Sequence, residues 1–340
     1  MYEAAKKSWF VFVVAAACLL VGGSRTPHAG AEGKTVIRYA TIAPGGSSFG
    51  KILKAWGRSL SKETEGRVDL RYYSGGSQGD ERDFIRKMRA GQMDAAGVTT
   101  VGLGIIVRPA MVLSAPGVIE TYEELGRVRE KMNGRFEKMF EEAGFVLLAW
   151  SDAGRGRIMS TLPIVKPADL KAARPWAWKD DPIFSEFLKV VGANAVRLGV
   201  PEVYGALQTK MVDVVPSSPI AAVALQWYTK LKYMSKDSFG IILGASIVKK
   251  EKFDQLSPGD QKILLDTGKR AARALDKVVR RDDAKAYDVL LQRGIELVDT
   301  GPHRAEWEKA AKETRDRLTG RIFSKSLLAE VEAAAKGTSP

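Results

Sequence analysis

Two tryptophans near the middle of the chain, Trp176 and Trp178, are spaced so that they could form one wall of a binding site. The surrounding residues predict a short strand, and strand side chains alternate between two faces, so both indoles lie on the same face. Paired indoles can stack on a ligand, and they serve equally well as part of a hydrophobic core. Both interpretations stay open from the sequence alone.

The elements on either side of these tryptophans predict a parallel α/β arrangement. A short helix begins at Asp169, helices cover residues 183–191 and 201–209, and a strand covers residues 195–198. Proline at the first turn of the last helix is typical of a helix start. Alternating strands and helices favour a parallel sheet, whose ligands bind at the carboxyl ends of the strands.

The first hundred residues show the same alternation. Strands are predicted at residues 35–40, 68–73 and 95–99, with a helix over residues 49–65 and another beginning near Asp80. Small or hydroxyl-bearing residues follow each strand, and their backbone N–H groups suit the floor of a binding cleft. Such loops also serve as plain turns, and none has the glycine and lysine pattern of a phosphate loop.

Several short runs resemble the DctP-type solute-binding subunit of the tripartite ATP-independent periplasmic (TRAP) transporters. The resemblance extends over about residues 36–297. It implies an α/β fold of the two-domain periplasmic binding protein type, with a cleft between the domains and a long C-terminal helix across both. The runs are Pro163-Ile, Pro167-Ala-Asp-Leu-Lys, Gly192-Ala-Asn, Glu202-Val-Tyr-Gly-Ala-Leu-Gln-Thr and Val212-Asp213.

The chain departs from this family at one position that matters for the ligand. The family usually carries an arginine that pairs with a carboxylate in the strand after the Asp-Leu-Lys helix, and Trp176 stands there instead. A second ligand-binding arginine of the family falls at Arg157, which we prefer to Arg155 as the anchor of a carboxylate. The exchange predicts a ligand larger and more apolar than a short dicarboxylate. A surface arginine and core tryptophans are the alternatives.

Five further residues are candidate ligand contacts. The resemblance implies ligand-facing loops at Gln78, Glu81 and Thr99. Ser217 and Ser218 offer hydroxyl groups in a loop that the flanking prolines would stiffen, although a plain turn accounts for the same residues.

A chain of this length exceeds what one core usually serves, so two domains are expected. Domain crossings are expected near Gly154 and Gly240, where glycine gives the backbone freedom. A helix over about residues 258–293 would be about 50 Å long and would lie across both domains. The predicted division is domain I at 32–154 plus 243–281, domain II at 155–242 plus 282–330, and a disordered tail at 331–340.

The N-terminus has the layout of a secretory signal peptide. Lys6 and Lys7 precede an apolar segment at residues 9–21, which is too short to span a bilayer, and small residues follow up to Ala31. We therefore expect residues 1–31 to be removed and the protein to be periplasmic. A permanent N-terminal anchor and lipidation of Cys18, the single cysteine of the chain, are the alternatives.

The chain carries a formal net charge of +13, which raises the question of nucleic acid as a partner. Acidic and basic residues are interspersed, as over residues 122–143, and no basic block is interleaved with aromatic residues. This distribution argues against nucleic acid. A solvated surface, attraction to an anionic membrane face and steering of an anionic ligand remain as explanations.

The residue types needed for catalysis are scarce. His28 lies in the predicted leader, His303 stands alone among charged residues, and acidic residues pair only as neighbours, as in Asp180-Asp181 and Asp282-Asp283. We therefore expect no enzyme activity, no metal and no cofactor.

A binding protein needs only a cleft that closes and a few polar groups. The expected partners are a small-molecule ligand and the membrane permease subunits of a TRAP transporter, and the protein is expected to be a monomer. A periplasmic ligand sensor that presents its solute to a signalling partner and a carrier of lipid-like ligands are the alternatives.

Overall fold

The computed structural model describes residues 34–338. The predicted signal peptide, its cleavage site and the question of lipidation at Cys18 lie outside the described residues. Strands and helices are numbered in chain order.

The strands of the described residues are short, apart from two longer ones that connect the halves of the molecule. They are β1 (Thr35–Thr41), β2 (Val68–Tyr73), β3 (Ala95–Thr99), β4 (Phe145–Arg155), β5 (Arg157–Ser160), β6 (Trp176–Trp178), β7 (Val196–Leu198), β8 (Val214–Ser217), β9 (Tyr233–Ser235), β10 (Ile241–Lys249) and β11 (Glu296–Val298).

The α-helices vary in length from 5 to 35 residues. They are α1 (Ser48–Glu63), α2 (Glu81–Arg89), α3 (Thr100–Ile106), α4 (Tyr122–Glu142), α5 (Pro182–Val190), α6 (Val200–Gln208), α7 (Pro219–Ala224), α8 (Lys250–Asp254), α9 (Pro258–Gln292), α10 (Arg304–Leu318) and α11 (Lys325–Lys336). Short 3-10 helices lie at Arg108–Ser114, Pro167–Ala172, Trp227–Lys230 and Gly301–His303.

The first lobe is built on a 5-stranded sheet in the order β2-β1-β3-β10-β4. Strand β1 runs parallel to β2 and β3, whereas β10 is antiparallel to both β3 and β4. Helix α1 covers one face with the apolar stripe of Leu53, Trp56 and Leu60, which packs against the strands. The central strands β3 and β10, which are covered on both faces, consist mainly of small and apolar residues.

The second lobe is built on a 4-stranded sheet in the order β11-β9-β5-β8. The parallel pair of β6 and β7 lies next to it, because a bridge between Pro175 and Val214 places β6 alongside β8. Alternate residues of these strands enter two cores. Met159, Trp176 and Val215 lie in the core with α6 and the end of α9, while Ile158, Ala177 and Val214 lie in the core with α5 and α10.

Three segments connect the two lobes. Strand β4 leads directly into β5, and β9 leads into β10. Gly154 and Gly240, at the ends of the long strands, have φ angles of +103° and +122°, a region that side chains with a Cβ rarely adopt. Helix α9 buries Leu264 in the first lobe and Leu290 in the second, so it lies across both as predicted.

Two local predictions were wrong. The segment after Asp213 is not a loop, because residues 214–217 form β8, which pairs with β5. Pro216 lies within this strand, opposite Ile158. Residues 331–336 are not a disordered tail, because they belong to α11. Its Leu327, Val331 and Ala334 recur at helical spacing and are buried in the first lobe's core.

Between Lys34 and Thr338, every helix is too short or too polar to cross a membrane.

Candidate ligand-binding site

A cavity of about 810 Å³ lies between the two lobes. The first lobe lines it with residues that follow β1 and β3, among them Thr41 and Thr99. The second lobe lines it from the start of β5 and the ends of β6 and β8. The cavity therefore lies at the carboxyl ends of the parallel strands, where an α/β fold places its ligand.

The sheet of the second lobe brings together candidates that are far apart in the chain. Arg157 and Ser217 stand directly opposite each other in the antiparallel pair of β5 and β8, so their side chains share one face. Trp178 ends the strand beside β8. All three line the cavity, and so does Trp176.

Arg157 is held in the cavity wall by one edge of its guanidinium group. Its Nη1 donates to the carbonyl oxygens of Ser235, at 3.0 Å, and of Lys236. The group lies over the ring of Tyr287, with 4.6 Å between the guanidinium carbon and the ring centroid. Its Nε is buried and has no hydrogen-bond partner among the described residues. Burial lowers the pKa of this arginine, because the charged form loses hydration.

The two tryptophans play different parts. Trp176 is only 4% exposed, donates from Nε1 to the carbonyl of Leu198 at 3.0 Å, and meets Trp227 edge to face at 5.4 Å between ring centroids. It belongs to the core and also lines the cavity. Trp178 is half-buried, 6.1 Å from Trp176 between centroids, and donates from Nε1 to Asp80 of the first lobe. Trp176 is thus both a core residue and part of the cavity wall, while Trp178 lies in the wall.

The two serines are engaged by the backbone. Ser218 is buried, begins α7, and donates from its hydroxyl to the carbonyl of Ala153 at 2.6 Å. The hydroxyl of Ser217 donates to the carbonyl of Ser218 at 3.3 Å, which is a weak bond. Of the two, Ser217 has the hydroxyl that a ligand could more easily recruit.

Glu81 and Thr99 fix the cavity wall of the first lobe. The buried carboxyl group of Glu81 accepts from the backbone N–H groups of Thr99 and Gly102, both at 2.7 Å, and from the Thr99 hydroxyl at 3.0 Å. Burial raises the pKa of Glu81 to about 8. These bonds are satisfied within the protein, so Glu81 shapes the turn between β3 and α3.

The structure does not bring Gln78 to the cavity. Its carbonyl and its side-chain oxygen accept from the ammonium group of Lys87 at 2.9 and 3.0 Å. It lies in the loop before α2 and is not among the residues that line the cavity.

A group of aromatic residues, which we call the aromatic annex, lines the same cavity and was missed by sequence reasoning. It consists of Phe184, Phe187, Phe239 and Trp307. Phe187 stacks between Phe184 and Trp307, with centroid distances of 5.9 and 6.0 Å and interplanar angles of 10° and 2°. Phe239 lies 4.8 Å from Trp307. The sequence shows the apolar stripe of α5, but Phe239 and Trp307, which pack with it, lie more than fifty residues further along the chain.

A buried ion cluster supports the connection between the lobes beside the cavity. The carboxylate of Asp152, which is fully buried, lies 2.9 Å from Arg129 and 2.6 Å from Arg280. Asp276 on α9 accepts from the backbone N–H of Asp152 at 2.7 Å and pairs with Arg129 at 3.1 Å. These bonds fasten α9 and α4 to the end of β4.

Within residues 34–338, no three or more histidine, cysteine, aspartate or glutamate side chains are grouped so that they could hold a metal ion.

The molecule has two lobes, each built on its own sheet. Two strands and a long helix join them, and a cavity lies between them. These features define a two-domain α/β solute-binding protein. The sequence profile of the bacterial extracellular solute-binding proteins of family 7, DctP, matches residues 39–321. The chain belongs to this family, and the resemblance to TRAP solute-binding proteins is confirmed. Its members bind substrates for transport and are not enzymes.

Characterised relatives are distant but extend over most of the chain. The C4-dicarboxylate-binding periplasmic protein DctP of Rhodobacter capsulatus is 23% identical over 310 residues, which cover 88% of this chain and 91% of the relative. The 2,3-diketo-L-gulonate-binding periplasmic protein YiaO of Escherichia coli is 24% identical over 263 residues, covering 76% and 79%.

Solved structures confirm the fold. A TRAP periplasmic solute-binding protein from Ralstonia eutropha with bound (S)-2-acetolactate has a TM-score of 0.84 and 21% identity, covering 89% of this chain and 99% of that one. A TRAP periplasmic solute-binding protein from Chromohalobacter salexigens with bound D-glucuronate has a TM-score of 0.82 and 22% identity, covering 88% and 99%.

Proposed function

We propose that this protein is a periplasmic solute-binding subunit that captures a small organic acid and delivers it to the membrane permease subunits of a TRAP transporter. The family and the periplasmic relatives named for acidic ligands support this proposal. The observation that carries it is Arg157, a half-buried cation that lines the cavity between the lobes. A carboxylate in the cavity would balance the charge of this guanidinium group.

We infer further that the ligand has apolar or aromatic character. Trp176, Trp178 and Trp227 form an indole wall on one side of the cavity, and the aromatic annex lies on the same cavity. The volume of about 810 Å³ lies in the upper part of the range of about 300–1,000 Å³ that holds drug-sized ligands. Burying about 100 Å² of ring surface there would contribute about 2.5 kcal/mol.

The residues proposed to contact the ligand follow from this arrangement. Arg157 would hold the carboxylate, Ser217 opposite it would donate a hydroxyl, and Trp176 and Trp178 would flank the apolar part. Thr99 lines the first lobe's side, where the hydrogen bonds of Glu81 hold the turn in place. Ser218 acts through the backbone it holds, and Gln78 has no proposed ligand contact.

The lobes are proposed to move as two domains about the glycine-containing crossings. We propose the division expected from the sequence, residues 32–154 plus 243–281 against 155–242 plus 282–330, and the strand membership of the two sheets supports it. Helix α11 packs in the first lobe's core, so we propose to assign it there. We propose that the protein acts as a monomer.

Native mass spectrometry of protein purified from its own host tests the function most directly. We expect a co-purified small carboxylic acid with an aromatic or alicyclic part, present at one molecule per chain. An Arg157→Met variant, which keeps most of the side-chain volume and removes the charge, serves as the matched control and should lose the adduct. A neutral molecule retained equally by both proteins would contradict the proposal.

A further inference from the structure

Asp80 of the first lobe is the N-cap residue of α2. Its Oδ1 accepts from the backbone N–H of Glu81 at 2.9 Å, and its own N–H donates to Asp83 at 3.1 Å, which completes a capping box. This local arrangement stabilises the start of the helix and uses only one carboxylate oxygen.

The other oxygen of Asp80 reaches across to the second lobe. Its Oδ2 accepts from the indole Nε1 of Trp178 at 2.7 Å and from the backbone N–H of Val200 at 3.1 Å. Val200 is the first residue of α6, whose N-cap, Gly199, has no side chain to offer. The carboxylate of Asp80 therefore caps α2 in its own lobe and α6 in the other, and both positive helix ends favour its negative charge.

Gly199 is what allows this close approach. A Cβ at position 199 would lie 2.7 Å from Oδ2 of Asp80, so a larger residue there would push the carboxylate away. The φ angle of Gly199 is −76°, which any residue can adopt, so glycine is needed for space rather than for backbone conformation.

We propose that Asp80 is a positioning residue that latches the two lobes together and fixes one wall of the ligand cavity. The latch consists of Asp80, Trp178 and the N-terminus of α6. Because opening the cleft at this side would separate Oδ2 from both donors, these bonds exist only while the lobes are closed there. This proposal depends on the proposed function in one respect only: the cleft closes when the protein captures its ligand.

The latch also decides what Trp178 offers to a ligand. Its single N–H is occupied by Asp80, so the indole presents a ring surface to the cavity and no hydrogen-bond donor. The bond fixes the orientation of the ring beside Trp176. Asp80, which is not itself among the cavity-lining residues, thus withholds from the ligand the one hydrogen-bond donor of Trp178.

Two variants separate the latch from the helix cap. Asp80→Ser keeps a side chain that caps α2 but cannot reach the second lobe. Trp178→Phe keeps a ring and removes the N–H donor. The matched control is Arg82→Gln, because Arg82 on α2 also reaches the second lobe, where its exposed guanidinium group pairs with the partly exposed Asp180 at 3.3 Å. Such pairs contribute little.

The measurement is the distance between spin labels on Ala90→Cys and Gln208→Cys in the ligand-free protein, in a Cys18→Ser background. Both label sites are exposed and lie at the far ends of α2 and α6, whose first turns meet at the latch. The parent protein should show a closed population. Asp80→Ser should lower the ratio of closed to open molecules about ten-fold or more, since bonds to a charged acceptor are lost.

Trp178→Phe should lower the ratio less than Asp80→Ser, because the bond to Val200 remains. The double variant should match Asp80→Ser, since both changes remove the same bond. Arg82→Gln should change the ratio less than three-fold, and all variants should keep the parent's melting temperature within about 3 °C. The proposal is overturned by a parent without a closed population, by unchanged distances in Asp80→Ser, or by additive effects of the two latch variants.

Because no ligand is used, these outcomes are independent of ligand identity. A protein that fails to bind organic acids and still shows the coupled shift would refute the proposed function and leave the latch standing.

Discussion

The position of each site side chain depends on the residues packed against it, and the sequence reveals only some of those residues. Arg157 and the two central tryptophans could be identified as site residues because their types and spacing suggest a use. The partners that orient them could not. Tyr287 under Arg157 comes from α9, and Asp80 beside Trp178 comes from a helix start nearly a hundred residues away. Spacing along one strand contains no information about such contacts.

Replacing Arg157 by lysine tests whether the geometry of the guanidinium matters in addition to its charge. A lysine keeps the positive charge and loses the fork with its fixed N–H groups. We expect the affinity for the co-purified carboxylate to fall at least about ten-fold by isothermal titration calorimetry, because a charge-assisted bond is worth about 1.5–3 kcal/mol. An unchanged affinity would show that the carboxylate lies elsewhere.

The raised pKa of Glu81 should make the stability of the folded protein depend on pH. Burial raises its pKa to about 8 in the folded protein, above the value of about 4.5 for an unburied glutamate, so the folded state binds the proton more tightly. This contribution to stability is fully present below pH 4.5 and is lost as the pH rises to about 8.

The Glu81→Gln variant removes the titration and keeps the carbonyl acceptor. We therefore expect the free energy of unfolding of the parent protein to fall between pH 5 and 8 relative to that of the variant, measured by urea denaturation. Two parallel pH profiles would contradict the account of Glu81 as a buried, protonated carboxyl group.

At the scale of the elements, the sequence predicted the framework and missed two pieces of it. Strands and helices of the first hundred residues were identified because their apolar periods are clear. Strand β8 was missed because its proline suggested a stiff loop, whereas its register with β5 comes from tertiary pairing. Helix α11 was missed because the end of a chain is often disordered, although its apolar spacing is regular.

The crossings between lobes depend on glycine for space as well as for conformation. A Cβ at Gly154 would lie 2.6 Å from the Cβ of Ser218 and 2.7 Å from a carboxylate oxygen of Asp283. Gly66, the matched control, has a similarly positive φ of +82° and nothing within 4 Å of the same position. Comparing an alanine substitution at Gly66 with one at Gly154 therefore separates the cost of backbone strain from the cost of steric conflict.

We expect Gly66→Ala to lower the free energy of unfolding by about 1–2 kcal/mol, from backbone strain alone. Gly154→Ala should cost clearly more, about 3 kcal/mol or above, because steric conflict adds to the strain. Chemical denaturation of both variants measures the difference. Equal losses would mean that the crossing at β4 relaxes freely around an added methyl group.

At the scale of the whole molecule, two lobes are joined by β4, β10 and α9, and a cavity lies between them. We expect ligand to close the cleft by a hinge motion, so the radius of gyration from X-ray scattering should be smaller with saturating ligand than without it. The Asp80→Ser variant should show a larger decrease, because its ligand-free form is more open. An unchanged radius in both proteins would argue against a hinge.

The central claim is that the cavity takes an organic acid through Arg157 and an apolar body through its indole and aromatic walls. Thermal-shift measurements with three matched sets test it: aromatic or alicyclic carboxylic acids, their neutral amides, and short dicarboxylates such as succinate and malate. A ligand at a hundred times its Kd should stabilise the fold by about 2.7 kcal/mol. The account predicts clear shifts from the aromatic or alicyclic acids and none from their amides. Strong shifts from succinate or malate, with none from the aromatic and alicyclic acids, would contradict it.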